Sequence, residues 1–327
     1  MKYDVLTVGT ATRDVFLISK DFAAYEEADQ PILIIPAATK IDMPDIANDI
    51  GGGAPNAAVT FARVGLKTAC LSKIGVDSSG REVENLVEKE GIKSLLVKDK
   101  SHQTGLSVIL KGPNGEDTMF IHRGAGYEYR PKDFALEGLH AGWVYITSLG
   151  GDLTALTRLV KWGVNEGVRM AVNPGALEIA KGRRLLRILK QVDVVLLNRH
   201  EAESLFGQTD TEAIFQSARA AGLHTVVVTN SDKGADILDG SYMYSTGVYK
   251  PVAVVDRTGA GYAYGAGLIA AIAKGRSMQQ AMSFAAANAT SVISYLGARV
   301  GILSNMDVDI MKVTIRVFHE EDHDTSH

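Results

Sequence analysis

Short, unbroken apolar runs alternate with longer segments of helical spacing along most of this chain, and that alternation constrains the fold most strongly. Strand-like runs fall at residues 5–9, 68–72, 143–147, 169–172, 192–197, 225–229 and 235–238. Between them, residues 54–64, 78–90, 153–165, 211–221, 260–273 and 278–294 carry apolar side chains at the three-to-four-residue spacing of a helix. A strand that is apolar throughout must be covered on both faces, and a helix between successive strands is the crossover that parallel pairing requires. The expected class is therefore doubly wound α/β, with a parallel sheet between two layers of helix.

Two regions interrupt the rhythm. Residues 14–50 hold extended apolar pieces at 15–19 and 32–35 with little helical periodicity, and residues 104–123 read as a hairpin turning at Pro113, Asn114 and Gly115. Both fit one small β-sheet beside the main sheet, and both fit ordinary surface hairpins equally well. No repeat or long linker divides the chain, so residues 1–318 are expected to form one domain. The polar tail 319–327 (HEEDHDTSH) reads as a fraying end rather than a metal patch, despite its histidines.

Composition narrows the function classes. A net charge of −4 provides no overall basic field for nucleic acid or an anionic membrane. Phosphate binding would then rest on local groups such as helix N-termini. Cys70 is the sole cysteine, which excludes an intrachain disulfide and a cysteine-based zinc cluster. No apolar run approaches the roughly 20 residues that span a bilayer. The first residues read as a strand rather than a signal peptide, so a cytoplasmic location is expected.

The strongest local signal is DRTGAGYAYGAG, residues 256–267, where an expected strand at 251–255 enters a glycine-rich turn and then a helix of small residues. Glycines at a helix start let a ligand approach the backbone, and the free N–H groups and helix dipole there suit an anion. Taken alone, the same glycines serve tight helix packing equally well. A second glycine run, GGGAPNAA at 51–58, also opens a helix and presents Asn56 as both donor and acceptor. Alone it is an ordinary loop and cap. Neither segment spells the G-x-G-x-x-G of a dinucleotide-binding turn, which argues against a Rossmann-type reading.

Together the two segments, GGGAPNAAVTFARVG (51–65) and DRTGAGYAYGAG, resemble the paired signatures of the ribokinase/PfkB carbohydrate kinase family. GVDSSG (75–80) is similar to its G-x-D-x-x-G turn, and NRHE (198–201) to its N-x-x-E motif. TNSDKG (229–234) resembles its nucleotide-side loop, with Ser231 where a glycine is usual. The resemblance spans roughly residues 1–305. It implies a ribokinase-like three-layer α/β/α sandwich with a small β-sheet lid built from about 14–50 and 104–123.

It also implies transfer of the γ-phosphoryl of ATP, with Mg²⁺, to a hydroxyl of a small sugar or nucleoside. Asp14, Gly52, Gly53 and Asn56 would hold the substrate hydroxyls, with Arg123 reaching from the lid. Glu201, with Asn198, would organise Mg²⁺. Thr229, Lys233, Gly234 and Asn288 would border the nucleotide, and Asp256 would support the loop beside it. Gly259, Ala260 and Gly261 would form the anion hole. A homodimer through the lid would follow the family habit.

The pattern breaks at one residue. Where the family places the aspartate that accepts the proton of the attacking hydroxyl, this chain has Tyr262. A phenol ionises near pH 10 and is a poor base at neutral pH. The expectation is a kinase with impaired or rerouted proton transfer. The alternatives are a catalytically inactive pseudokinase that binds sugar or nucleotide as a sensor or interaction module, or a chain in which an original aspartate has been replaced.

Overall fold

A computed structural model describes residues 2–19, 22–27, 30–35, 37–38, 40–112, 117–134, 136–250 and 252–318. A 10-stranded sheet runs through it in the order Thr314–Val317, Tyr242–Thr246, Ala235–Asp239, Thr225–Thr229, Val194–Asn198, Arg169–Val172, His140–Ile146, Lys2–Val8, Thr68–Leu71 and Lys93–Ser94. From Lys93–Ser94 across to Thr225–Thr229 every neighbouring pair is parallel, and the remaining strands join antiparallel at one edge. Apart from Lys93–Ser94 the parallel strands are apolar runs of the sequence, while the run at 235–238 becomes the antiparallel strand Ala235–Asp239. Val5, Leu6, Val226 and Val227 are fully buried because helices cover both faces.

The helices are α1 (Gly53–Arg63), α2 (Ser78–Lys89), α3 (Leu153–Glu166), α4 (Ala176–Ile179), α5 (Arg183–Leu189), α6 (Arg199–Phe206), α7 (Thr211–Ala220), α8 (Ala260–Ala273) and α9 (Met278–Ile293). Side chains of α3, α5, α6 and α7 form the core on one face of the sheet. Those of α1, α8 and α9 form it on the other, and α1 and α2 share a further cluster. Asp152, Asp210 and Ser277 cap α3, α7 and α9 through side-chain acceptors, which is why these helices begin where they do. No described helix is long and apolar enough to cross a membrane.

The two interrupted regions build a separate 4-stranded sheet in the order Asp117–His122, Gly105–Lys111, Thr12–Ile18 and Asp45–Gly51. Its register sets Ser107, Asp14 and Asp49 side by side. The expected turn at residues 113–115 and the tail 319–327 lie outside the described residues. The piece at 32–35 does not join this sheet. It lies in a hairpin of its own, Ala23–Glu27 against Gln30–Ile34.

The strand expected at 251–255 is also absent over the described residues 252–255, which take no place in any sheet. Its valines have strand composition, but the Val255 and Asp256 N–H groups donate to the Ile293 carbonyl at the end of α9. Val254 and Val255 are left about half exposed, at 48% and 50%. A helix end has taken the backbone donors that a ladder would use.

Candidate functional site

Parallel strands all end at the same edge, so the loops that follow them gather into one crevice. Here that crevice is lined by Asn173, Pro174, Leu196, Leu197, Asn198, Glu201, Thr229, Gly259, Gly261, Tyr262 and Gly265, around a cavity of about 230 Å³. Asn198 and Thr229 are the last residues of adjacent strands, and Gly259 to Gly265 come from the first turns of α8. The structure therefore brings together Asn198, Glu201, Thr229, Gly259, Gly261 and Tyr262 from three separate stretches of sequence.

The two glycines of the turn have different reasons for being glycine. Gly259 caps α8 at φ 81°, and a Cβ there would lie 2.4 Å from the Cβ of Ala298. Packing and backbone conformation both demand it. Gly261 is exposed, and a Cβ there would meet nothing within 4 Å. No neighbour within the protein requires that residue to be bare. The hydrogen bonds of this turn run from Ala260 N to Arg257 O and from Ala263 N to Gly259 O. Among the described residues the amides of Gly261 and Tyr262 keep no protein acceptor, as the first turn of a helix leaves them.

Asp256 holds the turn from beneath and does not touch the cavity. One carboxylate oxygen accepts from Thr258 N (3.0 Å) and from Lys111 Nζ (3.1 Å), and the other accepts from Gly297 N (2.8 Å). Burial pushes this carboxyl's pKa up, but the amides of Thr258 and Gly297 and the Lys111 charge outweigh it and hold it below the usual value. Lys111 is on the small sheet and also binds Asp117 at 2.9 Å, so one ammonium ties that sheet to the glycine turn.

Removing one partner of a buried pair leaves the other charge uncompensated. Lys111→Met is expected to destabilise the fold by about 3 kcal/mol in denaturant unfolding. Adding Asp256→Asn should recover part of that loss. The depressed Asp256 carboxyl contributes stability above its unfolded value near pH 4 and loses it as pH falls through the folded value. Asp256→Asn should accordingly flatten the acid limb of the stability profile.

The second glycine run packs against the ends of neighbouring strands. A Cβ on Gly51 would strike the Asp14 carboxylate, one on Gly52 (φ 89°) the Thr10 carbonyl at 2.3 Å, and one on Gly53 the Thr147 side chain at 2.5 Å. These contacts account for the glycines within the protein itself. In the first turn of α1, Asn56 Oδ1 is buried without a hydrogen-bond partner. Asp14 is 6% exposed and accepts from Thr12 Oγ1 at 2.9 Å. Burial raises its pKa, the Ser107 and Thr12 hydroxyls oppose that, Asp49 adds to it, and Arg299 counters. Arg299 pairs with Asp49 and also donates to Ile50 O at 3.1 Å.

In the lining of the cavity, Asn198 and Glu201 cap α6 reciprocally. Asn198 Oδ1 accepts from Glu201 N (2.9 Å), and Glu201 Oε2 accepts from Asn198 N (2.8 Å). Burial raises the Glu201 pKa, the Asn198 amide lowers it, and the Glu178 charge raises it again. Only one Glu201 oxygen is used by the cap. Among the described residues no cluster of three or more metal-binding side chains exists. A lone carboxylate beside a helix N-terminus with free amides still suits Mg²⁺, which is commonly held by one or two carboxylates together with substrate phosphates.

Asp14, Gly52, Gly53 and Asn56 do not line this cavity; Tyr262 does. It is half-buried and lines the cavity. Burial and the charges of Glu201, Glu178 and Asp14 push its phenol up to about 12. It is therefore a neutral hydrogen-bond donor at physiological pH and no base.

The remaining expected residues are more scattered. Lys233 ends a single 3-10 turn, Ser231–Lys233, and Gly234 closes it at φ 91°. Ser231, where a glycine was expected, takes φ 46°, the left-handed conformation that glycine adopts freely. Its hydroxyl accepts from Arg257 Nη1 at 3.3 Å. Arg123 is half-buried at the start of a 3-10 turn beyond the outer strand of the small sheet.

Asn288 does not border the cavity. It is fully buried, donating to Ala263 O and accepting from Leu303 N, both at 2.9 Å, so its amide is committed to joining α8 and α9. Sequence reading missed Asn173 and Pro174 in the wall and Glu178 behind them. Glu178 is 2% exposed and accepts from the amides of Leu149, Gly151 and Gly175, holding the turns next to Pro174. The Asn-Pro-Gly run directly after a strand was the available signal for that wall.

The description pfkB family carbohydrate kinase matches residues 4–305. The chain belongs to that family. A ribokinase of Haemophilus influenzae is 26% identical over 77% of this chain and 83% of its own length. A nucleoside kinase of Methanothermobacter thermautotrophicus is likewise 26% identical, over 77% of this chain and 81% of its own. A probable sugar kinase from Rhizobium etli superposes with TM-score 0.77 at 26% identity, covering 91% of this chain and 94% of that one. The Arabidopsis thaliana ribokinase solved with ribose and ATP also reaches 0.77, at 21% identity over 92% and 96%. This pfkB-family chain thus has the ribokinase fold, a mostly parallel sheet between helices with a smaller sheet beside it.

Proposed function

We propose that this protein transfers the γ-phosphoryl group of ATP to a hydroxyl of a small sugar or nucleoside, with proton transfer impaired by Tyr262. The observation that carries this reading is Gly261, whose bare Cα faces open space at an α8 N-terminus with unpaired amides. Phosphoryl transfer needs little covalent chemistry from the protein. It needs positioning and fixed dipoles where charge accumulates, and the first turn of a helix supplies them.

In this reading the amides of Gly261 and Tyr262 receive the transferring phosphoryl oxygens. Asp14 and Asn56 orient the acceptor hydroxyl from the α1 side, with Gly52 and Gly53 giving the backbone close approach and Arg123 reaching in from the small sheet. Thr229, Lys233 and Gly234 border the nucleotide. Glu201, through the oxygen its cap leaves free, would hold Mg²⁺ with Asn198 as its orienting partner. The metal, when bound, supplies charge neutralisation on the phosphates. The Tyr262 phenol donates a hydrogen bond but takes no proton, so the acceptor hydroxyl loses its proton to solvent.

The small sheet acts as the lid. Its outer strand leaves Met119, Phe120 and Ile121 exposed, which supports pairing of two lids in a homodimer. A binding-only role rests on Tyr262 alone, and the relatives named above are described as kinases.

The test is ADP release over a panel of sugars and nucleosides, run on the chain and on its Tyr262→Asp form. Acceptor-dependent release by the Asp form is expected. Silence from both with every acceptor would overturn the assignment.

A further inference from the structure

We propose that the open groove between α3 and α5 binds a small polyanion that carries at least two phosphate groups and no aromatic base. The groove shares no lining residue with the cleft described above, so this inference does not depend on the phosphotransfer reading. It encloses about 610 Å³, within the range of small-ligand sites, between Leu153, Arg158 and Lys161 of α3 and Arg184, Arg187 and Ile188 of α5.

Four cations therefore face one hollow in a chain whose net charge is −4. All four are exposed, and among the described residues none of their side chains makes a hydrogen bond or ion pair. Elsewhere in the chain several arginines are matched: Arg13 with Glu82, Arg63 with Glu90, Arg199 with Glu203, Arg316 with Glu212. The acids nearest the groove in sequence are already engaged. Asp152 caps α3, Glu178 holds buried amides, Glu166 faces His140, and Asp193 accepts from Met170 N. No carboxylate lines the groove.

The spacing matters as much as the charge. Arg158 and Lys161, and likewise Arg184 and Arg187, are three residues apart and share one face of their helix. Like charges at that spacing repel and cost the helices stability, a cost that a bound anion would offset. Guanidinium groups present planar forks that match phosphate oxygens, which favours phosphate over carboxylate as the partner. Cations on two separate helices need charge at two points, hence at least two phosphate groups. The lining has no aromatic ring on which a base could stack, and Leu153 and Ile188 offer only a small apolar floor. A nucleic-acid strand would need a longer basic track and stacking surfaces, which this groove lacks.

The test is calorimetric titration of the full chain with sodium tripolyphosphate, fructose 1,6-bisphosphate and citrate at about 150 mM salt, where weak surface attraction is screened. The two phosphate probes are expected to bind, and citrate to bind more weakly. Tripolyphosphate also has access to the α8 turn, so the titration is repeated on Gly261→Val, which leaves the groove intact. Arg184→Gln/Arg187→Gln and, separately, Arg158→Gln/Lys161→Gln should each weaken phosphate binding at least about tenfold, with melting temperature kept or raised. Equal binding by both double variants, binding lost only in Gly261→Val, or no binding by the native chain would overturn the site. Citrate binding as tightly as the phosphates would overturn the phosphate assignment.

Discussion

Tyr262→Asp is expected to raise phosphoryl transfer by about 10²- to 10⁴-fold, the usual contribution of a positioned general base. The substitution places a carboxylate in the first turn of α8, where the helix dipole favours negative charge. Glu201, Glu178 and Asp14, whose charges raise the Tyr262 phenol, would raise the new carboxyl too and so improve it as a base. The effect should fall on kcat, because the aspartate acts on the proton of an acceptor already bound.

The pH profiles should separate the two forms. The native phenol stays protonated up to about 12, so any residual activity depends on hydroxide and climbs about tenfold per pH unit through the neutral range. The Asp form should level off once its carboxyl is ionised. A flat native profile, or a Tyr262→Asp rate within a few-fold of native, would mean that the proton leaves by another route.

Gly261→Val, introduced into the Tyr262→Asp form, is expected to cut turnover by about 10²- to 10³-fold, the loss seen when a single anion-hole donor is compromised. The branched side chain would stand in the space above the helix N-terminus, where nothing lies within 4 Å of a Cβ. The fold should not register the change, and the melting temperature should stay within about 2 °C. Gly259→Ala makes the internal contrast. It forces a side chain into a left-handed conformation and against Ala298, so it should destabilise the protein as well as inactivate it. Loss of stability in Gly261→Val, with activity kept, would show that the turn serves packing alone.

The parts of this architecture that were legible in the sequence are those written in local pattern. The apolar run at 225–229 returns as Thr225–Thr229, and the helix expected at 260–273 returns as Ala260–Ala273. The first is decided by its unbroken β-branched run and the second by its small helical residues after a glycine turn. The turn residues Gly259 and Gly261 and the odd Tyr262 were visible for the same reason, since they sit within four consecutive positions.

What was not legible depends on contacts between distant parts of the chain. Lys111 meets Asp256 across 145 residues, and no local pattern announces that a strand-end lysine will hold up the turn before α8. The valines at 252–255 carry strand propensity, but a helix carbonyl takes the backbone donors that follow. Asn288 looked like a ligand residue and is instead a buried clamp between two helices. Glu178 was passed over because a lone glutamate in the short helix Ala176–Ile179 gives no sign that it will be 2% exposed and ringed by amides.

The most direct test is ³¹P NMR of the Tyr262→Asp chain with MgATP and an acceptor chosen from the ADP-release panel. Phosphotransfer at the α8 turn predicts a new phosphate monoester signal growing as the γ-phosphate signal falls, and none when Gly261→Val is added. Loss of the γ-phosphate to inorganic phosphate alone, or a monoester signal unchanged by Gly261→Val, would contradict it.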